Sequence, residues 1–180
     1  LQIVGTTNDV LDPYRLLEAR TGRPWDRAAL MAERSAHEER LNATLAPLPG
    51  VGALLDQAAA LGWQLAVVSS SSHTWVDRHL RRLGFFDRFA AILCRGDAPQ
   101  VKPAPDLYLE ALRRLDVGAA EAVAFEDSYN GSLAAKRAGL RCVAVPHALT
   151  RGQDLSHCDL VVDSLAEIDL ANLAARCPRN

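Results

Sequence analysis

The sequence predicts an α/β fold: a Rossmann-like, mostly parallel sheet flanked by helices, preceded by a mainly helical region. Three observations support this prediction. Short apolar runs alternate with helical patterns through most of the chain, in the order expected of parallel β-α units. Glycines stand where several of the helices should end. The first 48 residues, by contrast, carry mainly helical signals.

A break in composition at Pro47-Leu48-Pro49-Gly50 marks a domain boundary, since prolines and glycines interrupt regular structure. We assign residues 1–48 to a mainly helical region and residues 49–180 to the α/β core domain. In the first region, Asp12 is expected to cap a helix that ends at Gly22. Asp26 is expected to cap a second helix that runs to about Asn42.

The second region contains the alternating elements. Apolar runs of three to five residues predict strands, and the stretches between most of them predict helices. Strands are predicted at 64–68, 91–94, 122–125, 141–145 and 160–162. Helices are predicted from about 51 to 62, 72 to 83, 106 to 115 and 131 to 138, with a last helix capped by Ser164 and Glu167.

Composition excludes several classes of partner. The formal net charge is −2 and the sequence pI is about 6.2, so we expect neither nucleic acid nor a membrane surface as a partner. No apolar stretch approaches the ~20 residues of a membrane span. The four cysteines are scattered without metal or disulfide spacing, which favours reduced thiols and a cytoplasmic location.

A run of serines, Ser69-Ser70-Ser71-Ser72, directly follows the first predicted strand. Ligands collect at the carboxyl ends of strands in open parallel sheets, and helix N-termini offer free N–H groups to anions. The run therefore predicts a phosphate-binding loop, with Ser69 as the strongest candidate. Ser71 and Ser72 could equally serve only as helix caps.

Lys102 stands in the proline-rich turn Val101-Lys102-Pro103-Ala104-Pro105 and is one of only two lysines in the chain. Its ammonium could neutralise a phosphoryl group at the same edge of the sheet. A lysine in a loop is more often a solvated surface charge, so this position taken alone is weak evidence.

The sequence Phe125-Glu126-Asp127-Ser128-Tyr129-Asn130-Gly131 places two adjacent carboxylates at the end of an apolar strand. Adjacent carboxylates repel and call for a compensating cation. Mg²⁺ suits them, since it typically takes one or two protein carboxylates and fills its other positions with water and phosphate oxygens. The alternative is that Asp127 or Ser128 acts only as a helix N-cap.

These three segments, VVSSSS, VKPAPDLY and FEDSYNG, resemble the second, third and fourth motifs of haloacid dehalogenase-like hydrolases, in the branch that includes β-phosphoglucomutase and related phosphatases. The resemblance implies that Ser69 and the Ser70 backbone N–H bind the phosphoryl group and that Lys102 neutralises it. It further implies that Asp127, helped by Glu126, holds Mg²⁺. Ser128 and Asn130 would support the acidic loop.

The resemblance also implies a nucleophilic Asp at the end of a first strand, followed two positions later by a second Asp. Asp9 and Asp12 are spaced three apart and do not match, so we expect the core domain to lack its first strand and this chain to be inactive. The helical region, residues 1–48, is similar to part of that branch's cap domain, so the resemblance implies a partial helical cap domain there. Within it, Thr6, Thr7 and Asn8 resemble a cap loop and are possible substrate contacts. The branch's mutases carry an Arg near Asn8, which is absent here and argues against mutase activity.

Two functions are therefore weighed. The first is Mg²⁺-dependent hydrolysis of a small phosphomonoester, such as a sugar phosphate, through an aspartyl-phosphate intermediate. The second is a non-catalytic phosphate- or partner-binding module derived from such an enzyme. An upstream apolar strand ending in Asp-x-Asp would favour the enzyme. The oligomeric state is left open by the sequence.

Overall fold

The computed structural model describes residues 12–177. The chain divides into two compact units, Leu1–Ala46 and Pro47–Asn180. The division lies two residues before the position at which the sequence places the domain boundary. None of the described helices is both long and apolar enough to cross a membrane.

The first unit contains helices α1 (Pro13–Thr21) and α2 (Arg27–Thr44). The Asp12 carboxylate accepts hydrogen bonds from two backbone N–H groups at the start of α1, which confirms it as a helix cap. Gly22 ends α1 with φ 67°, a left-handed conformation that favours glycine. The predicted Asp26 cap of α2 is also confirmed.

The second unit carries the remaining elements, in the predicted order. They are α3 (Val51–Ala60), β1 (Ala66–Val68), α4 (His73–Arg82), β2 (Ala91–Leu93), α5 (Asp106–Leu115), β3 (Val123–Glu126), α6 (Tyr129–Arg137), β4 (Arg141–Ala144), β5 (Leu160–Val161) and α7 (Leu173–Arg176). The capping box of Ser164 and Glu167 is present, but it opens a short 3₁₀ turn over Leu165–Glu167, where the sequence predicted a longer helix.

All described strand pairs are parallel, as predicted, but they form two sheets. β1 pairs with β2, and β3, β4 and β5 form a three-stranded sheet in that order. Within residues 12–177 no strand joins β1 to β3, which is why the single predicted sheet is divided. A cleft of about 530 Å³ is lined by residues of both strands, including Ala66, Val68, Ala124 and Phe125.

The core lies on both faces of the three-stranded sheet. On one face Cys142 of β4 packs in a buried cluster with Tyr108 of α5 and Ala134 of α6. On the other, the next residue, Val143, packs with Ala58 of α3. Successive residues of a strand point to opposite faces, and Cys142, Val143 and Ala144 of β4 are all apolar and buried, as expected of a strand covered on both sides.

Candidate active site

The serine loop begins where β1 ends. The Ser69 backbone N–H donates to the carbonyl of Leu93 at 2.8 Å, which extends the pairing of β1 with β2 by one residue. The Ser69 hydroxyl accepts a hydrogen bond from the Ser71 N–H at 3.1 Å. Ser72 occupies the N-cap position of α4 but makes no side-chain cap bond. Of the two serines that the sequence left open as helix caps, Ser72 therefore holds the cap position, without a side-chain bond to the helix.

Arg95, which follows β2 and which the sequence analysis missed, binds this loop through two hydrogen bonds. The guanidinium Nε of Arg95 donates to the Ser70 carbonyl at 3.1 Å, and the Arg95 backbone N–H donates to the Ser71 carbonyl at 2.9 Å. Because these carbonyls are occupied by Arg95, the serine loop is tied to the end of β2.

Lys102 reaches from its turn to the ends of two strands. Its ammonium donates to the backbone carbonyl of Val68, the last residue of β1, at 2.8 Å, and also to Oε1 of Glu126, the last residue of β3. The Lys102 side chain is 11% exposed, so it is not a solvated surface charge. Arg137 donates to the Pro103 carbonyl at 2.9 Å and holds the turn from the side of α6.

Glu126 is buried and its carboxylate is shared. Oε1 accepts hydrogen bonds from Lys102 and from the hydroxyl of Tyr108 in α5. Burial, and then the neighbouring carboxylate, raise the pKa of Tyr108 well above its ordinary value, so the phenol stays a donor. The other oxygen, Oε2, lies against the backbone of Gly131, where an added Cβ would stand only 1.9 Å away.

Asp127 differs from its neighbour because its side chain is 57% exposed. Oδ2 lies 3.3 Å from Nε2 of His147, a residue beyond the end of β4. The adjacent carboxylates therefore have separate environments: Glu126 is neutralised internally by Lys102, whereas Asp127 faces the solvent. The lysine turn and the acidic strand end, which the sequence places at the same edge of the sheet, meet in the contact between Lys102 and Glu126.

The acidic loop is supported by Ser128, which caps α6. Its hydroxyl accepts a hydrogen bond from the Gly131 N–H at 3.3 Å, and its carbonyl accepts one from the Ser132 hydroxyl at 2.9 Å. The sequence left two candidates for the N-cap of α6, Asp127 and Ser128, and the structure shows that it is Ser128. Asn130 lies in the first turn of α6. Thr6, Thr7 and Asn8 lie outside the described residues.

The donor set can be compared with the needs of Mg²⁺. Among residues 12–177 no group of three or more His, Cys, Asp or Glu side chains is arranged to hold a metal ion. Mg²⁺ does not require such a cage, since one or two carboxylates with water and phosphate oxygens suffice. The solvent-facing carboxylate of Asp127 fits that requirement, with Glu126 directly beside it.

Besides Arg95, three site residues were missed in the sequence. Tyr108 and Gly131 lie inside the motifs VKPAPDLY and FEDSYNG, but nothing local indicates that both contact Glu126. His147 lies just beyond the end of a parallel strand, so the rule that ligands collect at strand ends could have drawn attention to it.

Comparison with known proteins places this site in context. Residues 12–145 match the family model of the haloacid dehalogenase-like hydrolases. The chain is 40% identical over 173 residues to the putative phosphatase YhcW of Bacillus subtilis, covering 96% of this chain and 78% of YhcW. It is 34% identical over 148 residues to β-phosphoglucomutase of Bacillus subtilis, covering 81% of this chain and 63% of the mutase.

Solved structures of the same family resemble this chain in fold as well as in sequence. CbbY from Rhodobacter sphaeroides in complex with phosphate superimposes with a TM-score of 0.73 at 36% identity, covering 84% of this chain and 71% of that one. A CbbY variant crystallised with xylulose-(1,5)bisphosphate matches equally well. The chain spans 58% of the CbbY sequence of Cereibacter sphaeroides. With the predicted motifs at the strand ends and a family model that matches most of its length, this chain belongs to the haloacid dehalogenase-like hydrolase family.

Proposed function

We propose that this protein is a Mg²⁺-dependent hydrolase of a small phosphomonoester, such as a sugar phosphate, acting through an aspartyl-phosphate intermediate whose nucleophilic Asp is absent from this chain. The observation that carries the proposal is the position of Lys102. Its ammonium is held where β1 and β3 end, between the serine loop and the acidic pair.

Lys102 would neutralise the transferring phosphoryl group. Two of its three N–H donors are used by Val68 and Glu126, which leaves one for a phosphoryl oxygen. Because these contacts fix the ammonium before substrate arrives, little reorganisation is needed when negative charge develops. The Lys102–Glu126 ion pair is almost fully buried, so the local dielectric constant is low. Interactions between charges are stronger there than in water.

Ser69 and Ser70 would bind the same phosphoryl group on the side of β1. The Ser69 Oγ–H is a donor, because the hydroxyl only accepts from the Ser71 N–H. The backbone N–H of Ser70 would provide a second donor. The serine loop and the lysine turn meet at Val68, whose carbonyl binds Lys102 directly before Ser69 begins.

Asp127 would hold Mg²⁺, with help from Glu126. The exposed Asp127 carboxylate needs no rearrangement to bind a hydrated cation. The Glu126 carboxylate is already paired with Lys102, so its negative charge would be divided between Lys102 and the metal ion. Mg²⁺ would supply positive charge to the phosphoryl oxygens. Ser128 and Asn130 would hold the acidic loop in place from the first turn of α6.

The nucleophile would lie on a strand between β1 and β3. The inner edges of both strands lack a strand partner among residues 12–177, and the cleft between them is lined mainly by apolar side chains. An unpaired strand edge exposes backbone N–H and C=O groups that normally find partners. An apolar strand in this cleft would pair with both edges, and its carboxyl end would lie next to Lys102.

CbbY provides the substrate class for this proposal. The solved CbbY structures hold phosphate in one case and a sugar bisphosphate in the other. A phosphorylated small molecule is therefore the partner we assign to this site. Thr6, Thr7 and Asn8 are kept as candidate substrate contacts, and a cytoplasmic location would suit this substrate class.

A non-catalytic phosphate-binding module is the second candidate. It is favoured by one observation: among the described residues, the only carboxylate in contact with Lys102 is Glu126. With no nucleophile supplied, the site could bind phosphate without turning it over.

The test compares the 180-residue chain with a version extended by the sequence directly upstream of Leu1. Both are assayed against a panel of phosphomonoesters with and without Mg²⁺, and both are titrated with inorganic phosphate. Metal-dependent turnover in the extended version alone is the expected result. Phosphate binding by both versions without turnover by either would favour the binding module. Absence of phosphate binding in both would contradict the two candidates together.

A further inference from the structure

The four cysteines of the chain have unequal access to solvent. Cys94, Cys142 and Cys177 are buried, whereas Cys158 is partly exposed. The exposed fraction of a thiol limits its reaction with soluble oxidants, so Cys158 is the cysteine best placed to react.

Cys158 lies beside Cys142. The backbone N–H of Asp159 donates to the Cys142 carbonyl at 3.0 Å, which pairs the segment before β5 with β4. The Cys158 side chain packs against the buried cluster that contains Cys142. The β4–β5 register places Asp159 opposite Cys142, so Cys158 is its diagonal neighbour. With strands about 4.8 Å apart and a rise of about 3.3 Å per residue, such a diagonal spans about 5.8 Å, and disulfides join Cα atoms about 4.4 to 6.8 Å apart. The backbone therefore needs little movement for the sulfurs to bond.

The surroundings of Cys158 favour its thiolate. The contact with Cys142 lowers the pKa of Cys158, and the Ser132 hydroxyl and the Lys136 ammonium also lower it. Burial and the Asp159 carboxylate oppose them, and the resulting pKa is about 7. Cys142 is affected in the opposite direction: its contact with Cys158, and then burial, raise its pKa. One sulfur of the pair is thus suited to attack an oxidant, while the other stays protonated beside it.

We propose that Cys158 and Cys142 form an oxidisable dithiol that peroxides convert to a disulfide. The Cys158 thiolate attacks one oxygen of hydrogen peroxide, the O–O bond breaks, and hydroxide leaves and takes up a proton as water. The resulting sulfenic acid is attacked by the Cys142 sulfur, which loses its proton as the S–S bond forms and a second water leaves. Two thiols are oxidised and one peroxide is reduced to two waters.

The site is separate from the proposed catalytic residues. Cys142 faces Ala124 across the β3–β4 pairing, and no cysteine belongs to the serine loop, the lysine turn or the acidic pair. A disulfide here would join β4 covalently to the segment that leads into β5. The inference therefore does not rest on phosphatase activity, and failure of one proposal would leave the other intact.

The experiment exposes the folded wild-type protein to a small excess of hydrogen peroxide near neutral pH. Free thiols are then counted after denaturation, and non-reducing peptide mapping locates any disulfide. We expect the thiol count to fall from four to two, a Cys142–Cys158 linkage in the map, and full recovery with dithiothreitol. A map of oxidised, still folded protein without this linkage would overturn the proposal.

Two variants and a control sharpen the result. Cys158→Ser should slow thiol loss at least tenfold, and Cys142→Ala should stop at a sulfenic acid that dimedone traps on Cys158. Cys177→Ser is the matched control, since Cys177 is buried outside the pair, and it should still form the linkage. If Cys158→Ser loses its thiols as fast as the wild type, Cys158 is not the reacting sulfur. The wild-type map needs no variant, so the test holds even if a variant folds poorly.

Discussion

The ammonium of Lys102 donates to the backbone carbonyl of Val68 at 2.8 Å, although 34 residues separate them in sequence. This bond places a cation at the end of β1, directly before the serine loop. The same ammonium binds Glu126 at the end of β3. Lys102 therefore links the two sheets at the edge where the candidate site lies.

Replacement of Lys102 by Met should destabilise the fold. The Lys102 and Glu126 side chains are 11% and 7% exposed, so loss of the cation leaves a carboxylate buried without its ionic partner. Breaking a buried ion pair from one side typically costs about 3 to 5 kcal/mol. Urea unfolding of Lys102→Met against the wild type measures this cost.

The double variant Lys102→Met with Glu126→Gln should recover part of the loss, because no charge is then left buried. Arg113→Ala is the control, since Arg113 is largely exposed and its pair with Glu110 should contribute less than about 1 kcal/mol. Equal effects of Lys102→Met and Arg113→Ala would mean that the Lys102 pair is not a buried interaction.

Replacement of Asp127 by Asn should weaken Mg²⁺ binding and leave the fold intact. The side chain is 57% exposed, so loss of its charge removes a metal ligand without a cost in packing. Calorimetric titration with Mg²⁺ in the presence of phosphate measures the affinity. Asp163→Asn serves as control, because Asp163 is also exposed and pairs with Arg151. Unchanged affinity in Asp127→Asn would contradict the metal assignment.

Replacement of Gly131 by Ala should destabilise the protein, although alanine is the better helix former by about 1 kcal/mol. The added Cβ would stand 1.9 Å from Oε2 of Glu126, and Glu126 cannot move without disturbing Lys102 and Tyr108. Gly52→Ala in α3 is the matched control, since its Cβ would meet no atom within 4 Å. Thermal unfolding should give a lower midpoint for Gly131→Ala and an equal or higher one for Gly52→Ala.

The interaction of His73 with Asp97 should stabilise the protein mainly at acidic pH. Nε2 of His73 lies 2.6 Å from Oδ2 of Asp97. This hydrogen bond raises the pKa of His73 above its ordinary value of 6.5; partial burial opposes the shift, and the Asp77 carboxylate adds to it. A raised folded-state pKa contributes stability that is fully present below the unfolded-state pKa and is lost as pH rises through the folded-state pKa.

The variant His73→Gln should therefore lose more stability at about pH 6 than at about pH 9, where the wild-type imidazole is neutral. Arg114 also binds Asp97, so part of the Asp97 charge stays compensated in the variant. Urea unfolding across this pH range measures the difference. If the difference in unfolding free energy between wild type and variant increases as pH rises, the charged His73–Asp97 pair does not form.

The 180-residue chain should show no phosphatase activity and should unfold at a lower temperature than a version extended upstream of Leu1. The inner edges of β1 and β3 lack strand partners among residues 12–177, and the cleft between them exposes apolar surface. Domains are stable by only about 5 to 15 kcal/mol, so filling such a cleft with a strand should raise stability measurably.

Paired thermal unfolding and phosphomonoester assays of the two lengths test this prediction. Turnover by the 180-residue chain that requires Mg²⁺ and disappears in Asp127→Ala would show that the nucleophile lies within it. Asp9 and Asp12 would then be the first residues to replace, although Asp12 already caps α1.

The sequence by itself determined the local features of this protein. Asp12 and Asp26 were identified as helix caps because a cap depends on a few neighbouring residues. The parallel strands were located to within two residues by their apolar runs, and the order of the three motifs indicated the family.

Only the tertiary structure decided which side chains meet. Glu126 and Asp127 look equivalent in the sequence, yet Glu126 is buried against Lys102 and Tyr108 while Asp127 faces solvent near His147. These outcomes depend on contacts between residues far apart in the chain, and local patterns carry no information about which distant partner a buried group will find.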